Sequence, residues 1–499
     1  MASSLVQEIK APNGVTFNQP VGLFIGGEFV KSKSGSTLST TNPTTEEEIC
    51  KVFAAEEDDV DIAVAAARKA FKDPTWSDIE PIQRGILLYK LAELVERDAK
   101  ILATIDTLDN GKPYTVALGE DVAESINVFR HYGGWADKIY GRTIDTSPQK
   151  FAYVRHEPIG VCAQIIPWNY PLLMAAWKLG PALATGNVVI MKSAEQTPLS
   201  VLYLATLVKE AGFPPGVVNI ISGYGKSAGA ALVQHLGVDK VAFTGSTFTG
   251  KQIMKMASVN LKNITLETGG KSPNIIFEDA ELDQAVKWTH SGIMGNMGQV
   301  CTATSRVYVQ ESIYDNFIEE FKKYVAEVNV VGDPFDETTY QGPQVSKVQH
   351  DKILGYIDAG LSEGARLVSG GKRHGDKGYF IQPTIFADVK DHMTISREEI
   401  FGPFVCFSSF KTEEEVIARA NDTAYGLGAA LFTRDLERAH KVAAKLESGM
   451  VWINSSNDSH FGIPFGGVKQ SGIGRELGEY GLQAYTQAKA VHVNLGTRK

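Results

Sequence analysis

The sequence predicts an α/β protein built on a doubly wound parallel sheet, and two observations carry that expectation. Short β-branched runs recur through the middle of the chain: VCAQIIPW (161–168), NVVIMKS (187–193), VVNIISG (217–223), KVAFTGS (240–246) and NITLETG (263–269). Between them lie amphipathic or alanine-rich stretches, LLMAAWKLGPALATG, TPLSVLYLATLVKEAG, KSAGAALVQHLG and TFTGKQIMKMASVN. Strand followed by helix, repeated, gives βαβ units and hence a Rossmann-like parallel-sheet domain with helices on both faces. Ligands of such a sheet sit at the carboxyl ends of its strands, where loops and helix N-termini converge.

The flanking segments follow the same logic. Residues 59–137 carry apolar positions at i, i+3, i+4 spacing in DVDIAVAAARKAF and QRGILLYKLAELVERDAKILATIDTLDNG, which predicts helices. From 271 to 470, helical segments such as YDNFIEEFKKYVAEVN and TEEEVIARAND alternate with strands such as RVYVQES, YFIQPTIF and GPFVCFSSF, which predicts a second α/β domain. Thr412 and Glu415 have the spacing of a capping box for one of those helices. The segment 139–158 and the tail AYTQAKAVHVNL read as isolated strands with alternating apolar positions. Pairing across a subunit interface and a local hairpin fit that pattern equally.

Composition narrows the function classes. The 499 residues are 43% hydrophobic, ample for the cores of two or three domains. Cys50, Cys162, Cys301 and Cys406 are far apart, with no CxxC pair or Cys/His cluster, so neither a disulfide framework nor a metal site is expected. A formal net charge of −9 argues against nucleic acid as a partner, since phosphate-backbone binding needs a concentrated basic face. No apolar run is long enough to span a bilayer, so no membrane association is expected. The first residues have neither the apolar core of a secretory signal nor the arginine bias of a mitochondrial presequence, which leaves the cytosol as the expected compartment.

The strand ends are where chemistry is expected. After the first run comes PWNYP, in which Asn169 offers a neutral amide donor. After the second comes KSAEQTP, which sets Lys192 near Glu195, and after the fifth comes LETGGKSPNII, in which Glu267 precedes two glycines that leave room for a ligand. Two glycine loops, GYGKSAG (223–229) and GSTFTG (245–250), compete to hold a phosphate, and neither has the spaced GxGxxG form. Cys301 sits in MGQVCTATSR, where a free cysteine by itself is more often a small buried hydrophobe than a nucleophile. Taken together, thiol, carboxylate, amide donor and dinucleotide platform are a sufficient set for oxidative acyl chemistry.

The ordered motifs PWNYP, GNVVIMKSAEQTP, FTGST, LETGGKSPNII, GQVC, EEIFGP and PFGGVKQSGIGRELG cover nearly the whole chain. With them the sequence resembles the NAD(P)-dependent aldehyde dehydrogenase superfamily, in particular its class 1/2-type, fungal-like members. The resemblance implies a dinucleotide-binding domain from 1–138 and 159–270, a catalytic domain from 271–470, and oligomerisation segments at 139–158 and 471–499 that build a homotetramer as a dimer of dimers. It makes Cys301 the nucleophile, with Asn169 and the Cys301 backbone N–H holding the oxyanion and Glu267 activating the water that hydrolyses a thioester. A free thiol with pKa near 8.5 is only about 3% ionised at pH 7, so some local activation is required. Lys178 and Glu476 match the residues that relay the proton.

For the cofactor, the resemblance implies NAD, with NADP at lower preference. Lys192 and Glu195 would bracket the adenine ribose, Gly225 would lie along the adenine side, and Gly245 and Ser246 would meet the pyrophosphate. Glu399 and Phe401 would fix the nicotinamide end, with Ile165, Pro167, Trp168, Ser193 and Gly269 completing the site. A Glu195 carboxylate facing a 2′-phosphate would repel it by about 1 kcal/mol in open water and about 4 kcal/mol at an effective dielectric of 20 and 4 Å. Tyr170, Met174, Trp177, Phe461 and Phe465, with the loop 454–463, would line the tunnel for a small aldehyde. Those side chains suit uncharged aliphatic or aromatic aldehydes such as acetaldehyde; a specialised betaine-, amino- or indole-acetaldehyde dehydrogenase is the alternative. Two positions depart from the common pattern, Ser193 where proline is frequent and Thr268 where an apolar residue is; strand alternation turns Thr268 away from the face that carries Glu267.

Overall fold

The pairing of the predicted strands fixes where a ligand can sit. In the computed structural model, which describes residues 5–499, Val161–Ile165 pairs in parallel with Val188–Lys192 on one side and Lys240–Thr244 on the other. Val218–Ile221 extends the sheet beyond the former and Asn263–Glu267 beyond the latter. The chain thus winds outward, returns to the middle and winds out the other way. This puts the topological switch point at the carboxyl end of Val161–Ile165, just before PWNYP. Val161–Ile165, Val188–Lys192 and Val218–Ile221 are buried throughout, as unbroken apolar runs covered on both faces should be. Antiparallel strands close the edges, Leu23–Ile25 with Glu28–Val30 on one side and Gly472–Ile473 on the other.

Three of the four crossover helices form at full length: Pro171–Ala184, Leu199–Ala211 and Thr247–Ala257. The fourth is much shorter than KSAGAALVQHLG suggests. Only Ala230–Gln234 is α-helical, preceded by a π turn at Gly225–Gly229, because two glycines within five residues weaken the start of a regular helix. The N-terminal helices are Glu57–Lys72, Pro81–Arg97, Ala99–Asn110 and Ala123–Trp135. The long apolar pattern that starts near residue 83 is therefore not one helix; it is interrupted at Asp98, which ends one helix and opens the next.

Residues after 270 build a second sheet in the order Arg366–Ser369, Thr384–Ala387, Phe404–Phe410, Arg306–Gln310, Pro273–Ile276, Gly428–Phe432 and Met450–Ile453. All neighbours are parallel except the edge strand Arg366–Ser369. The expected capping box is half made. Thr412 caps Glu413–Asn421 by accepting from the Glu415 N–H, but the Glu415 carboxylate reaches past the cap to the Lys411 N–H at 2.9 Å.

The segments expected to be isolated strands pair with each other. Arg142–Ser147 and Lys150–Pro158 form a hairpin, and the tail strand Thr486–Asn494 adds to its other side along the full length of Lys150–Pro158. Every residue of Arg142–Ser147 is exposed, so this small sheet keeps an open edge among the described residues.

Candidate active site

A cavity of about 570 Å³ opens at the carboxyl ends of the first sheet, where it meets the second. Asn169, Glu267 and Cys301 all lie on its wall. Asn169 follows the central strand, and Glu267 is the last residue of Asn263–Glu267. Cys301 follows the tight turn Gly295–Gly298, in which Asn296 and Met297 adopt φ values of 46° and 57°. Such values are uncommon for non-glycine residues and persist only when the surroundings impose them. Here the imposition is visible. The Asn169 side chain donates to the Gln299 carbonyl at 2.9 Å, and Asn296 donates to the carbonyls of Asn169 and Gln299 at 3.1 and 3.2 Å. Two amides thus tie the thiol loop to the end of the central strand. One N–H of the Asn169 amide remains for a ligand.

The glycines after Glu267 allow the second sheet to come close. A Cβ at Gly270 would lie 2.5 Å from the Cys301 carbonyl oxygen, and one at Gly269 would lie 2.9 Å from the Glu399 carboxyl carbon. Across this bare stretch the Gly270 N–H donates to Glu399 at 3.1 Å. Contrary to the expectation from strand alternation, Thr268 reaches the same cavity wall as Glu267, and its hydroxyl donates to the Gln470 carbonyl at 2.7 Å.

Burial dominates the electrostatics. Both Glu267 carboxyl oxygens are buried without a hydrogen-bond partner. Burial, and then the nearby Glu476, hold its pKa well above the usual carboxylate range, while Lys178 pulls it back only in part. Burial also pushes the Cys301 thiol up, with Glu399 and Glu267 adding to the effect, against backbone N–H donors at Thr302 and Cys301 itself. Burial thus favours the neutral form of both groups in the resting site. Lys178, fully buried in Pro171–Ala184, is ion-paired to Glu476 and donates to the Thr244 hydroxyl at 2.7 Å. Glu476 and Thr244 both reach the cavity wall, so a polar chain leads inward from it.

The residues expected to hold NAD fall into two groups. Pro167, Trp168, Gly245, Ser246, Gly269, Glu399 and Phe401 line the cavity, with the Trp168 and Phe401 rings edge-on at 5.2 Å. Ser246 caps Thr247–Ala257, whose free N–H groups and positive dipole end suit a phosphate. Ile165, Lys192, Ser193, Glu195 and Gly225 lie off the cavity wall. Lys192 and Glu195 are paired at 3.5 Å, and nothing stands within 4 Å of where a Gly225 side chain would project, which leaves open space beside that turn. The Ser193 hydroxyl is turned into the sheet against the Ser222 hydroxyl at 3.1 Å. Donors, a helix N-terminus and a bare backbone strip along one face fit a dinucleotide.

Tyr170, Met174, Trp177 and Phe465 also line the cavity, and the Trp177 and Phe465 rings meet edge-on at 4.9 Å. Phe461 does not reach it; its ring packs on His131 and His460 at 5.2 and 4.0 Å, while Asn457 and Ser459 of the same loop take the wall. Sequence reasoning missed Glu120, Glu124, Gln349 and Lys352, all on the wall. Gln349 has a visible task. Its side chain donates to the Ile400 and Phe401 carbonyls at 3.1 and 2.7 Å, which holds Phe401 at a positive φ of 64°. No local pattern announces such a contact across 52 residues.

Residues 29–491 match the aldehyde dehydrogenase family. The chain belongs to that family. An aldehyde dehydrogenase of Alternaria alternata is 56% identical over 490 residues, 98% of each chain. The mitochondrial aldehyde dehydrogenase of Homo sapiens is 54% identical over 500 residues, 99% of this chain and 96% of that one. The NAD+ complex of the Bacillus cereus aldehyde dehydrogenase superposes with a TM-score of 0.94 at 51% identity, covering 95% of this chain and 97% of that one. The enzyme is an NAD-dependent oxidoreductase that converts an aldehyde to the carboxylic acid. No helix among its described residues is long and apolar enough to cross a membrane.

Proposed function

We propose that Cys301 is the nucleophile and Glu267 the base for oxidation of a broad range of small aliphatic and aromatic aldehydes, acetaldehyde among them. The observation that carries this reading is the convergence of thiol, amide donor and unpartnered carboxyl group on one cavity wall. The Cys301 thiol gives its proton to ionised Glu267, which passes it to the Lys178–Glu476 pair, as the sulfur adds to the aldehyde carbon and the carbonyl oxygen takes the charge. The spare Asn169 N–H and the Cys301 backbone N–H hold that oxyanion, and one such donor is typically worth about 3 to 4 kcal/mol. NAD, when bound, supplies the acceptor for the hydride that leaves the adduct, and a thioester on Cys301 remains. Glu267, once ionised, removes a proton from the water that adds to the thioester; the C–S bond breaks and the acid departs. Glu476 and Lys178 carry that proton away from Glu267.

Lys192 and Glu195 bracket the adenine ribose, Gly225 borders the adenine, Gly245 and Ser246 take the pyrophosphate, and Glu399 and Phe401 position the nicotinamide end. Residues 1–138 and 159–270 form the dinucleotide-binding domain, and 271–470 form the catalytic domain. The segments 139–158 and 471–499 bridge subunits of a homotetramer in the cytosol; the open edge at Arg142–Ser147 supports that role. The test is Cys301→Ser assayed with NAD against a panel of aldehydes, following absorbance of the reduced cofactor. Loss of signal with every aldehyde is expected, and a variant that turns over at the parent's rate removes Cys301 as the nucleophile.

A further inference from the structure

We propose that Glu120 and Glu124 select aldehydes bearing a positively charged ammonium group at the end remote from the carbonyl. The proposal rests on the reading of Cys301 as the nucleophile, because it assigns the opposite end of the same cavity. Exposure falls along the wall, from exposed Glu120 through half-buried Glu124 and Cys301 to buried Glu267, so the two upper acids stand at the mouth and the chemistry at the floor.

Charge accounting singles out those two acids. Asp121, also on the wall, is ion-paired with the fully buried Lys112, whose ammonium lies 4.1 Å over the Tyr170 ring. Glu120 and Glu124 have no lysine or arginine at ion-pairing distance among the described residues. Glu124 faces the His460 imidazole and is steadied by the Asn127 side chain and the Phe461 N–H, while Glu120 feels the Lys112 ammonium only beyond Asp121, which already pairs with it. Lys352 is the one basic residue on the wall, and it belongs to the cofactor end, where it donates to the Glu399 carbonyl at 3.3 Å.

The cavity floor independently calls for a ligand. Trp177, 7% exposed, has its indole N–H unpartnered there, as does 4% exposed Glu267 with both carboxyl oxygens. The rings of Tyr170, Trp177 and Phe465 line the same cavity. Aromatic rings sharing a cavity with two carboxylates that have no lysine or arginine ion-pair partner suit a chain of methylene groups ending in an ammonium. An aldehyde with a remote carboxylate meets like charge and is disfavoured.

The experiment compares 4-(trimethylammonio)butanal with its neutral isostere 5,5-dimethylhexanal, each with NAD at low and high salt. The enzyme is expected to favour the cationic aldehyde in kcat/KM by about tenfold at low ionic strength, with the ratio shrinking as salt screens the mouth. Glu120→Gln with Glu124→Gln should lower kcat/KM for the cationic aldehyde at least about fivefold more than for the neutral one. Equal efficiencies in the parent, or equal losses in the variant, overturn the assignment while leaving the catalytic reading intact. Failure to oxidise either compound or acetaldehyde overturns the catalytic reading, and this assignment with it.

Discussion

Replacing Lys178 with methionine tests the buried relay and its cost to the fold together. Methionine is unbranched and one atom shorter than lysine, so packing within Pro171–Ala184 is largely conserved while the charge is lost. The charge has few partners to spare: Lys178 is 0% exposed, is paired with 7% exposed Glu476 and bonds Thr244 at 2.7 Å. One Glu476 oxygen already lacks a partner, so the substitution leaves a carboxylate buried and uncompensated. Breaking a buried pair from one side typically costs about 3 to 5 kcal/mol, whereas replacing both members by neutral groups is often close to neutral. Lys178→Met should therefore destabilise the enzyme by that amount, and Lys178→Met with Glu476→Gln should recover about half of it or more. The assay is a double-mutant cycle in urea, read by both the transition midpoint and the unfolding rate. Lys178 also pulls the raised Glu267 pKa down. Its removal shifts the rising limb of the steady-state rate to higher pH. A single variant within about 1 kcal/mol of the parent, or a double variant no better than the single, refutes the reasoning.

The remaining predictions concern the same cavity. Glu267→Gln conserves shape and removes a buried ionisable group, so it should fold normally, release one burst of reduced cofactor per active site, and then stall by about 100- to 10,000-fold; turnover without a burst, at the parent's rate, excludes Glu267 as the base. Burial pushes the Glu399 carboxyl up to about 7. Being raised, it is protonated below that pH, so NAD affinity measured by fluorescence titration should rise as pH passes through about 7, where the ionised form becomes available to ribose hydroxyls, and Glu399→Gln should flatten the curve. The same raised value means that its contribution to folding stability is present below pH 4.5 and is lost as pH climbs towards about 7. Glu195→Gln should increase kcat/KM with NADP by about 5- to 1,000-fold, nearer the lower figure because the side chain is 38% exposed and solvent screens it.

The sheet that carries the site was legible because parallel strands buried on both faces leave unbroken apolar runs, as in VCAQI and NVVIMK. Asn169 and Glu267 followed from it, since strand ends are where such a sheet presents side chains. Cys301 was different. Its own surroundings suit a core residue equally well, and only the accompanying motifs distinguish it. Gln349 and Lys352 reach the cavity from Lys347–Ser362, and Glu120 and Glu124 from the segment before and within Ala123–Trp135. Helix docking across long sequence separations brings them there, and no local periodicity encodes it. Phe461 shows the converse: the resemblance put it on the tunnel wall, but its ring packs on neighbouring histidine rings instead. The helix expected over KSAGAALVQHLG shortened for a local reason, the conformational freedom of Gly225 and Gly229.

Gly269 and Gly270 give the enzyme a point of weakness where the strand end carrying Glu267 meets Cys301 and Glu399. Two missing methyl groups are all that let the rim of one sheet touch the carbonyl of the reactive cysteine and the acid beside it. Alanine at either place would wedge those surfaces apart by a fraction of an ångström without disturbing either hydrophobic interior. Such a change would misplace the thiol and the carboxyl groups against each other, so turnover would suffer beyond whatever the displaced backbone costs the fold.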